Sequence, residues 1–61
     1  MEIRALESDI RDQERIIAAD EAILELEKSP EKREALRREI ALCYSKIDRL
    51  RSRIEDLERI D

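Results

Sequence analysis

Leu36, Ile40, Cys43, Ile47, Leu50, Ile54 and Leu57 recur at alternating spacings of 4 and 3 residues. Apolar residues at that spacing fall on one stripe of an α-helix. An unbroken repeat is a coiled-coil seam, here with Ile at the a positions and mainly Leu at d. The first half of the chain is less regular. One apolar stripe runs Ile3, Leu6, Ile10, Ile17, Leu24, and a second, on an adjacent face, runs Ile16, Ala19, Ile23, Leu26. From Ile16 onward this helix is apolar over nearly half its circumference.

Only "EKSPEKREAL" interrupts the pattern. Proline breaks a helix interior but suits the first helical position. Ser29 then stands at the N-cap, Pro30 opens the first turn, and Glu31 lies favourably near the positive end of the helix dipole. The pattern predicts helices over about 2–28 and about 30–60, with a turn at about 28–30, in a single domain spanning 1–61.

Neither stripe of the first helix continues in phase into the seam of the second, so the frame breaks at Pro30. Folding the chain back antiparallel sets large residues opposite large ones and the small pair, Ala19 and Cys43, together. The expected fold is therefore all-α, an antiparallel helical hairpin. Its predicted core is Ile3, Leu6, Ile10, Ala19, Leu26, Leu36, Ile40, Cys43, Ile47, Leu50, Ile54 and Leu57. The alternative is a long, kinked parallel coiled coil. Its main support is the lack of glycine, the commonest C-terminal helix cap, at the turn.

The stretch "EIALCYSKI" is apolar on several sides at once. One neighbouring helix cannot cover it together with the wide apolar arc opposite. Ile16, Ile17, Ile23, Leu24, Leu42 and Tyr44 are left as the predicted intermolecular contact. They point to a homodimer built as a four-helix bundle.

Composition strengthens this reading. The chain has 61 residues, one Cys, no His and no Gly. A chain this short builds a weak core unless a disulfide, a metal or a partner supports it. A single thiol forms no internal disulfide and no zinc site. Partner association remains. Residues 1–30 carry four basic and nine acidic side chains, and residues 31–61 carry nine and eight. The fold-back places Glu7, Asp9, Asp12 and Glu14 beside Lys46, Arg49, Arg51 and Arg53. Such surface pairs are individually weak but together disfavour other registers.

The net charge of −4 disfavours nucleic acid as a partner, and no apolar run reaches the length of a membrane span. The expected setting is soluble and cytoplasmic. Catalysis is not expected, because there is no Ser–His pair, no phosphate-binding glycine loop and no metal ligand set. No cofactor and no small-molecule substrate follow from these residues. Cys43 reads as a small apolar residue at a d position. Asp20 interrupts the apolar arc, with Gln13 and Glu27 at the same heptad position. It reads as a register-setting polar residue, or as a carboxylate bonded to the Tyr44 hydroxyl. Arg38, Lys46, Arg49 and Arg53 form an outer strip that either balances the acidic first helix or docks an acidic protein or RNA.

Two helices joined near the middle of about sixty residues resemble, in length and helix count, two known families. One is the plasmid RNA-binding regulator Rop; the other is the small hairpin co-chaperones of type III secretion needle subunits. The resemblance implies no site residues, since no motif is shared. The first expectation is a non-catalytic, self-associating helical module that acts on itself and on another helical protein. A Rop-like RNA-binding regulator and a chaperone-like cover for a helical client are the alternatives.

Overall fold

The computed structural model describes residues 2–59. Helix α1 spans Glu2–Leu26 and helix α2 spans Pro30–Arg59, and the two pack against each other. There is no strand among the described residues. The hairpin is a rod with extents of 49 × 14 × 11 Å. The chain folds back at residues 27–29, so the continuous kinked rod does not form. Met1, Ile60 and Asp61 lie outside the described residues, and so does the expected end of the second helix at 60.

The turn closes without glycine and without any positive-φ residue among those described. A long side chain replaces the usual left-handed cap. The Arg33 guanidinium reaches back from α2, where one Nη1 donates to the carbonyls of Leu24 at 2.8 Å and Glu27 at 3.0 Å. The last carbonyls of a helix have no partner within it, and a cation there also opposes the negative end of the helix dipole. On the other side of the bend, Arg33 N–H donates to the Ser29 carbonyl at 2.9 Å, which places Ser29 at the N-cap of α2. Ser29 N–H donates in turn to Glu27 Oε1 at 3.1 Å. Pro30 follows as the first helical residue, where its missing N–H costs nothing.

The seam is regular on both helices. In α1 the residues that are not exposed are Ile3, Leu6, Ile10, Gln13, Ile17, Asp20 and Leu24, and the same 3–4 spacing extends to Glu27 in the turn. In α2 they are Arg33, Leu36, Ile40, Cys43, Ile47, Leu50, Ile54 and Leu57. Ile17, Cys43 and Ile47 form the buried cluster, with Ile10 and Ile40 packed against it.

This placement corrects the expected α1 face. Ala19 and Leu26, expected in the core, are exposed, Leu26 at 83%. Ile17 and Leu24, expected between molecules, lie in the hairpin's own seam; Ile17 is only 5% exposed. The cause is geometric. A straight helix cannot swing from the Leu6–Ile10 stripe onto the Ile16–Ala19–Ile23–Leu26 stripe, which lies about 100° around its axis. Continuity with Leu6 and Ile10 prevails, and Gln13 and Asp20 enter the seam.

Candidate interaction surface

The hairpin has two long sides, and they differ in chemistry. On one side a groove is lined by Glu14, Glu21, Tyr44, Asp48 and Arg51 over Ile17 and Ile47. Charge dominates there, and among the described residues Tyr44 is the one large exposed hydrophobic on that side. The opposite side carries two grooves. Toward the turn, Ile23, Ala35 and Leu36 lie with Glu27, Lys32 and Glu39. Toward the open end, Asp9, Asp12 and Gln13 lie with Lys46, Arg49 and Leu50.

Heptad spacing assigns the other exposed apolar residues to this second side. Ile16 is seven residues from Ile23, and Leu42 is seven from both Ala35 and Arg49; residues seven apart share a helix face. Ala19 and Leu26 form the next row outward. Ile16, Ile23, Leu26 and Leu42 therefore share one side and are 38%, 50%, 83% and 61% exposed. The six residues expected to make the intermolecular contact are divided. Ile16, Ile23 and Leu42 face one way, Tyr44 faces the other, and Ile17 and Leu24 are spent inside the hairpin.

The basic strip is divided too. Lys46 and Arg49 line the open-end groove beside Asp9 and Asp12. Arg53, seven residues beyond Lys46, pairs with Glu2 across the helices at 2.8 Å. Arg38 pairs with Glu34 on its own helix at 3.4 Å.

Two polar atoms in the seam lack partners: Gln13 Oε1 and Asp20 Oδ2, both buried. Asp20 as a residue is 7% exposed. The neighbour that meets it is Glu39, not Tyr44, which lies in the groove on the far side. The Glu39 carboxyl titrates above its ordinary value of 4.5. The causes are a hydrogen bond with Asp20, then the Asp20 charge, then burial, against a weaker downward pull from Lys46. Two carboxylates are both acceptors, so they bond only when one holds a proton. Sequence reasoning passed over Glu39 and Arg33. Both signals were present: Arg33 continues the α2 repeat one step before Leu36, and Glu39 flanks the seam at Asp20's level.

Cys43 is 4% exposed, within the Ile17–Ile47 cluster. A thiol there packs as a small hydrophobe, whereas a reactive thiolate needs exposure and a basic neighbour. Among the described residues, no group of three or more His, Cys, Asp or Glu side chains could hold a metal ion. Among the same residues, no helix is long and apolar enough to cross a membrane. No protein-family model, no curated protein and no solved structure matches this chain.

Proposed function

We propose that this chain is a non-catalytic interaction module that self-associates through its apolar side, two hairpins forming a four-helix bundle. One observation carries the reading: of the five large exposed hydrophobics among the described residues, four, Ile16, Ile23, Leu26 and Leu42, share one side, while the other side is charged. Scattered exposed hydrophobics are ordinary, but a contiguous set with a charged rim marks an interface. The thin core of Ile17, Cys43 and Ile47 adds a motive, since a small hairpin gains stability by covering a second apolar face. The charged side remains outward and serves to select further protein partners.

The cations on the apolar side do not favour a polyanion such as RNA. Lys46 and Arg49 share their groove with Asp9 and Asp12, and Arg53 is tied to Glu2. An RNA backbone would meet carboxylates at each step, and there is one aromatic ring in the chain for stacking.

Sedimentation equilibrium over a range of concentrations tests the proposal. Self-association predicts a dimer mass for the natural chain. Leu42→Glu should raise the dissociation constant by at least about tenfold, roughly 1.4 kcal/mol, whereas Tyr44→Glu, on the opposite side, should leave it nearly unchanged. A natural chain that stays folded and monomeric at high concentration overturns the reading.

A further inference from the structure

We propose that the second copy lies with its turn beside the first copy's turn, each α1 packed over the partner's α2, and Asp12 of each chain set against the partner's Arg49. The inference rests on the self-association reading and deepens it. Its basis is the order of chemistry along the apolar side. At the open-end level α1 presents Asp9 and Asp12 while α2 presents Lys46 and Arg49. At the turn level α1 and the residue after it present Ile23 and Glu27, and α2 presents Lys32, Ala35, Leu36 and Glu39.

A two-fold axis can lie in the interface in two ways. An axis along the hairpin maps each level onto itself and each α1 onto the partner's α2. Apolar then covers apolar near the turn. At the open end acid covers base twice, closing an alternating ring of four charges. An isologous contact of this kind must be self-complementary, and this side is. An axis across the hairpin instead reverses the levels and sets α1 on α1. At full overlap Asp9 and Asp12 would then lie over the partner's Ala19 and the partner's Ile16, placing charge on the apolar residues.

Extent favours the same arrangement. Overlap along the full 49 Å of the hairpin, at about 15–20 Å across two helices, covers roughly 700–1,000 Å² per copy, near the about 800 Å² of a specific interface. Centring a crossed pair on the apolar half leaves much of the open end uncovered.

A charge swap tests the arrangement. Asp12→Arg and Arg49→Asp are made in separate chains, each checked for helicity by circular dichroism, and native mass spectrometry and sedimentation read the assembly. Each variant alone should dissociate at least about tenfold more readily than the natural chain, since like charges meet twice. Mixed, the two should form a heterodimer in preference to either homodimer. Homodimers of both variants as tight as the natural one would overturn the arrangement while leaving self-association intact. So would weakened homodimers that fail to pair when mixed. A natural chain that is monomeric overturns the underlying reading instead.

Spin labels on Lys28→Cys in a Cys43→Ala background give an independent readout. Adjacent turns predict a separation within about 20 Å, given helix spacings of about 8–10 Å. Turns at opposite ends of the bundle would appear well beyond that and would overturn the arrangement.

Discussion

The two seams of the hairpin meet residue for residue yet are built from different material. From Leu36 to Leu57 the α2 seam contains nothing but Ile, Leu and Cys. The α1 seam admits Gln13 and Asp20, and the two buried unpartnered side-chain atoms described above are theirs. Both helices still keep the same 3–4 rhythm. One apolar helix is therefore enough to define the groove, and the opposing helix takes its facing from continuity rather than from maximal burial. The cost of that compromise is concentrated at Asp20. Its benefit is that Ile16 and Ile23, displaced from the seam, are free for an outside contact.

The contrast can be broken or sharpened by substitution. Hairpin stability should be followed by urea unfolding at one fixed, low protein concentration, because association shifts apparent stability. The largest effect should come from the all-apolar seam. Ile47→Ala removes the most buried residue of the cluster, 3% exposed, and should cost about 2–5 kcal/mol, enough to unfold most molecules of a small domain. A midpoint unchanged within error would mean that the cluster does not hold the hairpin together.

In the mixed seam the sign should reverse. Asp20→Leu removes a buried carboxylate whose Oδ2 has no partner and should stabilise by about 1–3 kcal/mol, read as a higher urea midpoint. A lower midpoint would show that the contact with Glu39 outweighs the cost of that unpartnered oxygen. Next comes the turn, where the two seams are joined. Arg33→Met keeps the aliphatic stem but exposes the Leu24 and Glu27 carbonyls. The loss should be about 1–2 kcal/mol, in the range for charged hydrogen bonds and helix caps, and amide exchange should speed up at residues 27–33 first. Uniform exchange along both helices would argue against the cap.

The mildest effect is pH dependence. The folded chain holds the Glu39 proton more tightly than the unfolded chain does. Its contribution is complete below the ordinary value of 4.5 and fades as pH rises through the raised folded value. Denaturation of the dilute hairpin should thus become easier on going from pH 4.5 toward neutrality, and Glu39→Gln should flatten that slope. Identical slopes for the two chains would mean that the Asp20–Glu39 contact is not formed.

Much of this architecture is readable from the chain itself, and the failures have physical causes. The α2 seam repeats without exception, and Pro30 cannot sit inside a helix, so two helices and a break follow directly. The α1 face was harder. Ile16, Ala19, Ile23 and Leu26 are more apolar than Gln13, Asp20 and Glu27, and a count of hydrophobic residues selects the wrong stripe. Rhythm carried over from Leu6 and Ile10 decides it. Ser29 and Pro30 at the turn are readable, but the cap that closes α1 is not, because cap rules look for a residue type at the helix end, whereas Arg33 acts from nine residues beyond Leu24. The candidate surface was half legible: Ile16, Ile23 and Leu42 could be named, but assigning Tyr44 to the other side required knowing which α1 face is inward.

A guanidinium keeps its charge at any pH a protein survives, so the bend stays fastened under conditions that titrate carboxylates. At the opposite end the seam of Ile3, Leu6, Ile54 and Leu57 is supplemented by the solvent-exposed Glu2–Arg53 pair, which acid or salt dissolves. The two polar fastenings of the rod are therefore unequal: acid that loosens the tips leaves the bend tied.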